Sequence, residues 1–385
     1  VQEVYVLTLR ARTALLALVT VLAGCSATGD DEPSPVDACG SRIAVLGPLS
    51  GDSADFGGNI YDGARLAFDQ YAAAHPDCPV DLVDFDSQGD PKQAPALAQR
   101  IVDDPRIVGV IGPGFSGEAE AALPILDQGG VTTITTSATR TELSARGWPT
   151  FHRLVGNDAA QGRAAGWYID QVLGGTAVFV VDDGSAYGRG LADEVVDRLG
   201  AKVVQRATVA ARATDFGAVV GQVRSADADV VFYGGYYAEA GRLLRQLRAG
   251  AVAATFVAGD GVKADGFLHA AGDAAADDVV ITCPCLPPER AGEQFPQHYR
   301  DSFGREPGTN SAESYDAARV FLAGIRAGHG DRAGMEAFVD AYDGPGVTTR
   351  IAWTSSGELV SSSVSVWAFR VRQGLFVAER AIPAS

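Results

Sequence analysis

The stretch Ile107-Val108-Gly109-Val110-Ile111-Gly112-Pro113-Gly114-Phe115-Ser116-Gly117 is followed, after a helical pattern over Glu118–Gln128, by Val131-Thr132-Thr133-Ile134-Thr135-Thr136-Ser137-Ala138-Thr139. Each half is a short apolar run that ends in a turn of small residues carrying a hydroxyl. The unit predicts strand, tight turn, helix, strand, tight turn. In an open α/β sheet, ligands bind at the carboxyl ends of strands, where helix N-termini offer free N–H groups. Ser116 marks one such corner. Ser137, Ala138 and Thr139 mark a second, and a small carboxylate or phosphate is the expected guest.

The same alternation extends in both directions. Ile43–Leu46 leads to a helix near Asn59–Ala74, Val80–Asp84 leads to Pro91–Val102, and Ile107–Ile111 leads to Glu118–Gln128. A second series starts after Asn157. A helix near Ala159–Val172 precedes the strand Ala177–Val181, then Tyr187–Leu199, Lys202–Ala207, Phe216–Ser225, Val230–Tyr233, Ala238–Ala249, Thr255–Ala258, Gly266–Ala271 and Val279–Thr282. Strands alternating with helices predict parallel sheets. The two series match in order and length, and Phe56-Gly57 in one corresponds to Tyr187-Gly188 in the other. The expected fold is therefore α/β, with two similar doubly wound parallel-sheet lobes joined by a multi-strand hinge. Residues 41–156 with 286–349 form the N-terminal lobe, and 157–285 with 350–385 the C-terminal lobe. The latter share closes with the strand-like runs Arg350–Trp353, Val364–Val371 and Leu375–Arg380. No long linker separates the lobes, so the chain crosses between them more than once, and a cleft between hinged lobes is a natural ligand site.

The chain of 385 residues is 46% hydrophobic, enough for two sizeable cores. Its formal charge of −17 argues against a nucleic-acid partner, which would want a basic stripe. At the N-terminus, Arg10 and Arg12 precede the apolar run Ala14–Leu22, which is too short for a permanent membrane span. Leu22-Ala23-Gly24-Cys25 follows, ahead of a polar segment. Residues 1–24 read as a signal peptide, and this ending resembles a bacterial lipobox. That likeness implies cleavage before Cys25, lipidation of its thiol, and a flexible tether over 25–40. Export permits disulfides. Cys39 and Cys78 each stand just before a strand, and parallel neighbouring strands would bring both to one end of the sheet, so they are the expected pair. Cys283-Pro284-Cys285 could bridge locally or stay as two thiols. No second ligand pair completes a zinc set beside them, and no metal site or cofactor is expected.

Two catalytic motifs fail on inspection. Gly112–Gly117 matches G-x-G-x-x-G, but it follows the third strand, contains Pro113, and has no acidic residue at the end of the next strand to hold a ribose. The same segment approaches a serine nucleophile elbow, yet Glu118 stands where that motif needs glycine. None of His75, His152, His269, His298 and His329 sits in a catalytic pattern, and most read as surface or boundary residues.

Further motifs carry a resemblance. They are Leu46-Gly47-Pro48-Leu49-Ser50-Gly51 with Phe56-Gly57, Asp90-Pro91-Lys92-Gln93-Ala94, Ser137-Ala138-Thr139 with Glu142–Gly147, Tyr187–Ala192, and Tyr233-Gly234-Gly235-Tyr236. In order and spacing these resemble the leucine/isoleucine/valine-binding proteins of ABC importers, type I periplasmic binding proteins. The resemblance runs from about Ser41 to Gly261 and more loosely beyond. It implies that Ser116, Ser137, Ala138 and Thr139 hold an amino acid's α-carboxylate through hydroxyls and backbone N–H groups. Ser116 could equally serve as a simple helix cap. The resemblance further implies that Asp260 and Tyr187, from the other lobe, meet the α-ammonium. Asp260 replaces a glutamate common in the family, so the ammonium must sit deeper or be reached through water. Phe56, Phe115 and Tyr236 are implied to line an apolar side-chain pocket.

The function so implied is a non-enzymatic, extracytoplasmic receptor that closes on an aliphatic, branched-chain amino acid. It would act as a monomer anchored by Cys25 and deliver its ligand to membrane permease subunits. The alternatives are a receptor of the same fold for an amide, urea or aromatic acid, and a secreted hydrolase using Ser116.

Overall fold

The computed structural model describes residues 38–383, so the apolar leader, Cys25 and most of the tether lie outside the described residues. Among the described residues, no helix is long and apolar enough to cross a membrane. The first sheet comprises β1 (Arg42–Gly47), β2 (Asp81–Asp86), β3 (Ile107–Ile111), β4 (Thr132–Thr135) and β5 (Phe151–Arg153). Its order is β2-β1-β3-β4-β5, and every pairing is parallel. The helices α1 (Ala54–Ala74), α2 (Ala94–Asp103) and α3 (Ser116–Gln128) make the crossovers. Helices on both faces explain why β3 is buried throughout while the edge strand β2 keeps exposed residues.

The second sheet repeats the plan. After α4 (Asp158–Gln171) come β6 (Val178–Asp182), α5 (Ala186–Leu199), β7 (Val203–Thr208), α6 (Gly217–Ser225), β8 (Val230–Gly234), α7 (Tyr237–Ala249), β9 (Thr255–Ala258), the short α8 (Asp265–Ala271) and α9 (Asp273–Ala276), and β10 (Val280–Cys283). The order β7-β6-β8-β9-β10 reproduces that of the first sheet, so the expected doubly wound pair of lobes is present. The matched dipeptides are matched in space as well. A Cβ on Gly57 would come within 2.1 Å of the Pro48 carbonyl, and one on Gly188 within 2.2 Å of Asp183. In both lobes only glycine lets the first crossover helix pack this close to a strand end.

The chain then returns through α10 (Phe295–Phe303), α11 (Ser311–Arg326) and α12 (Arg332–Asp340), of which α11 packs on α1 and β3, and α12 on β3 and β4. One segment differs from the sequence reading. The run at 350 forms β12 (Arg350–Ala352), which pairs antiparallel with β11 (Asp343–Pro345) in a separate two-stranded sheet rather than joining the second lobe's sheet. The last two strands, β13 (Val366–Arg372) and β14 (Leu375–Ile382), do join that sheet, through an antiparallel pairing of β13 with β10. The third crossing between lobes is thus interrupted by a small hairpin.

Three crossings run side by side. Leu154–Gly156, Pro284 with Leu286, and Thr348 and Thr349 with Ser363 and Val364 line one narrow space, and the Gly156 N–H donates to the Pro284 carbonyl at 3.4 Å. Cys39 and Cys78 are joined by a disulfide at the start of β1 and β2, and Cys283 bridges Cys285 across Pro284.

Candidate functional site

The first corner is a tight reversal at the end of β3. Gly112 adopts φ +120°, and a Cβ there would lie 2.3 Å from the Leu46 carbonyl, so the turn requires glycine. Phe115 is extended and occupies the N-cap position of α3, and its N–H is taken by the Glu118 carboxylate at 2.8 Å. Ser116 is therefore the first helical residue rather than the cap. Its buried hydroxyl accepts from the Arg140 N–H at 3.2 Å, which ties it to the second corner.

The second corner is held by the first. The Ser137 hydroxyl donates to the Gly114 carbonyl at 2.6 Å. Thr135 Oγ1 donates to the Pro113 carbonyl at 2.8 Å and accepts the Ala138 N–H at 3.0 Å. From behind, fully buried Arg153 donates to the carbonyls of Ala138 and Arg140 at 3.0 and 2.8 Å, while Glu358 balances its charge. The Ser137 hydroxyl and the Ala138 N–H are thus committed to holding the turn. The Thr139 hydroxyl is different: it is buried and has no hydrogen-bond partner among the described residues.

Tyr187 and Asp260 meet in the other lobe. The Tyr187 hydroxyl donates to Asp260 Oδ1 at 2.8 Å and accepts the Gly261 N–H at 3.1 Å. The helix start that aims Tyr187 is capped by Ser185, whose hydroxyl accepts the Gly188 N–H at 2.8 Å. A second acid, which the sequence reading missed, joins them. Asp158 opens α4, is fully buried, and among the described residues neither carboxylate oxygen has a hydrogen-bond partner. Its N–H donates to the Thr139 carbonyl at 2.7 Å, which fixes it beside the second corner. In sequence it reads as an acidic residue in the first turn after the capping Asn157, where it would simply complement the helix dipole. Only the lone Asp-Gly at 260 on the far side signals that two acids converge.

The electrostatics follow from burial. Desolvation pushes the Asp158 carboxyl up to about 8; the charge of Asp260 adds to the rise and the nearby Thr139 hydroxyl opposes it. Burial also raises the Asp260 carboxyl, against the hydrogen bonds from Tyr187 and Gln161. Two acids that resist ionisation in a buried space favour a cationic group between them.

The aromatic residues form one row across the cleft. Ring centroids lie 5.4 Å apart for Phe56 and Phe115, 4.1 Å for Phe115 and Tyr236, and 5.3 Å for Tyr236 and Tyr187. The polar segment at 310 supplies Asn310, whose Nδ2 donates to the Thr136 carbonyl at 2.8 Å. The lobes touch on either side of this row. Arg140 Nη1 donates to the Ala186 carbonyl at 3.1 Å, Thr141 donates to Glu194 at 3.2 Å, and Lys263 Nζ donates to Thr309 Oγ1 at 3.2 Å. The structure is the closed arrangement. Outside the Phe115–Tyr236 pair lies a cavity of about 700 Å³, walled by Pro91, Ser185, Arg212 and Tyr237.

Residues 41–373 match the periplasmic binding protein family. An amino acid binding protein of Pseudomonas aeruginosa is 32% identical over 335 residues, spanning 84% of this chain and 89% of its own length. A leucine-, isoleucine-, valine-, threonine- and alanine-binding protein of the same organism is 31% identical over 338 residues, or 85% of this chain and 89% of that one. Among solved structures, a leucine-binding protein of Thermotoga maritima superposes with a TM-score of 0.81 at 25% identity, covering 89% of this chain and 98% of its own. These relatives are named for what they bind and none for a reaction.

Proposed function

The chain belongs to the periplasmic binding protein family, and on that premise we propose that it is the extracytoplasmic receptor of an ABC importer for an aliphatic, branched-chain amino acid. It is a binding protein and not an enzyme, as its relatives are. The observation that carries the ligand class is the division of charge across the cleft. One lobe offers neutral donors, the other a buried tyrosine–aspartate pair, and Asp158 lies beside the seam with both oxygens unpartnered. An α-amino acid has the matching charges a few ångströms apart. Its carboxylate would accept from Ser116 and Thr139 and nearby N–H groups. Its ammonium would answer Asp260 and Asp158, which removes the need for a deeper seat or a bridging water. The side chain would lie against Phe56, Phe115 and Tyr236.

No bond of the ligand need change. The work is closure: a ligand that touches both lobes binds the closed state more tightly than the open one, and a permease reads the difference. Export with lipidation of Cys25 would hold this receptor, as a monomer, at the membrane where the permease subunits sit. The test is a thermal-shift panel of leucine, isoleucine, valine, alanine, a small amide, urea and benzoate. The three branched amino acids should raise the melting temperature most. If all three fail to raise it, the ligand assignment fails, and a response to the amide, urea or benzoate alone would move the site to that class.

A further inference from the structure

Away from the cleft, at the edge of the first sheet, a second group of ionisable side chains converges. His152 on β5 faces Glu336 and Asp340 on α12, and one ligating atom from each lies within 4.8 Å of the other two. The sequence reading placed most histidines at the surface, but His152 has no exposed area. Its Nε2 stands 2.9 Å from Asp340 Oδ1. Glu336 Oε2 accepts the Thr132 hydroxyl at 2.7 Å, whereas its Oε1 and the imidazole Nδ1 are buried without partners among the described residues. The next strand residue, Arg153, points the opposite way, toward the Ala138 and Arg140 carbonyls. The group therefore lies on the other side of β5 from the ligand corner.

We propose that His152, Glu336 and Asp340 form a divalent metal site that takes Zn²⁺. Glu336 and Asp340 are four apart on one helix and so share a face. The strand supplies the third ligand from the opposite wall. A mixed imidazole and carboxylate set suits zinc, whereas calcium and magnesium take oxygen ligands alone. In a tetrahedral zinc site neighbouring ligand atoms lie about 3.4 Å apart, so an ion would need His152 and Asp340 to spread from 2.9 Å and the wider pairs, within 4.8 Å, to draw in. The Thr132 hydroxyl already orients one carboxylate in the way that outer partners of metal ligands do. The unpartnered Glu336 Oε1, costly when left buried, gains a partner when an ion enters. Asp340, whose side chain is 62% exposed, gives the ion its way in and leaves room for a water as the fourth ligand. Trp353 packs edge-to-face with the imidazole, with ring centroids 4.9 Å apart.

Chelator-treated protein titrated calorimetrically with zinc chloride alone, in a non-coordinating buffer, tests the site. One equivalent should bind, and Glu336→Gln and Asp340→Asn should each weaken that binding about tenfold or more. Circular dichroism checks that both variants keep the fold. Asp340 is exposed, so its variant carries the test even if a change at Glu336 disturbs packing. Absence of uptake, or uptake that Asp340→Asn leaves unchanged, would overturn the proposal, the latter as adventitious binding by the acidic surface.

Discussion

The two lobes share a winding and differ in what they place at the strand ends. In the first, the corners at Ser116 and Thr139 are made of hydroxyls and N–H groups, most of them already bonded to each other. In the second, the corresponding space holds Tyr187 and Asp260, with Asp158 at the start of the connecting helix. Equivalent topology delivers equivalent positions, but their chemistry is set residue by residue. The fold itself satisfies most of the first lobe's neutral donors and leaves the Thr139 hydroxyl over, whereas beside the second lobe's pair the Asp158 carboxylate has no hydrogen-bond partner among the described residues. The unfinished groups thus face the seam as a hydroxyl on one side and a carboxylate on the other.

The sharpest way to break this contrast is to remove the acid. Asp260→Ala should weaken amino-acid binding by about a hundredfold or more, since an ammonium buried without its partner loses roughly 3–5 kcal/mol. Calorimetric titration with leucine measures this, and near-unchanged affinity would show that the ammonium is met elsewhere. The matching change in the first lobe should do less. Ser116→Ala removes one hydrogen bond to a charged group among several, about 1.5–3 kcal/mol at most, so an affinity loss nearer tenfold is expected. If the serine variant proves the more damaging, the division of roles between the lobes is reversed.

Acidity acts on both lobes next. Burial raises Asp158, at the start of α4, to about 8, and in the first lobe raises Glu118 and Glu313 to about 7 and Asp316 to about 6. Between the unfolded carboxylate range near 4 and these values, the folded chain holds more protons than the unfolded one, so stability falls as pH rises. Carboxylates whose values are lowered, such as Glu358 beside Arg153, are ionised in both states across this window and do not offset the trend. The ligand-free melting temperature should therefore climb as pH drops from 8 to 5. The shift produced by leucine should shrink over the same range, because protonated Asp158 no longer attracts an ammonium. Asp158→Asn should flatten that second dependence, and a leucine shift that grows on acidification would contradict it.

The smallest expected effect concerns selectivity. Phe115→Ala opens the row between Phe56 and Tyr236 toward the neighbouring cavity. Larger side chains should gain relative to valine by about fivefold, the low end of the roughly 1–3 kcal/mol that one methylene is worth in an apolar pocket. Competition between valine and phenylalanine for the variant reads it directly, and an unchanged ratio would remove Phe115 from the pocket wall.

Apolar runs bounded by glycine and small residues made the repeated strand–helix order readable, because buried parallel strands leave a continuous signal. The three-residue strand β5 left none: Phe151-His152-Arg153 carries two ionisable groups, and their burial depends on Asp340, Glu358 and carbonyls from distant segments. Both corners could be read from the turn chemistry alone. Which hydroxyl each would leave unpartnered could not, since Ser137 and Thr139 differ only in whether the fold brings a carbonyl within reach. Asp158 was hidden for a related reason. A helix-start aspartate is ordinary until a second acid is folded against it.

The Cys39–Cys78 disulfide has a mechanical consequence. It closes a separation of 39 residues and sits where the chain enters the first sheet, just ahead of the strand paired with both β2 and β3. A pull applied through the residues before Cys39 would otherwise peel β1 from its two neighbours one hydrogen bond at a time. With the bridge in place, tension passes through sulfur into the chain ahead of β2 and divides between two adjacent strands. A receptor held by its N-terminal end could then be tugged by its surroundings while the strand that shapes its binding corner stays unloaded.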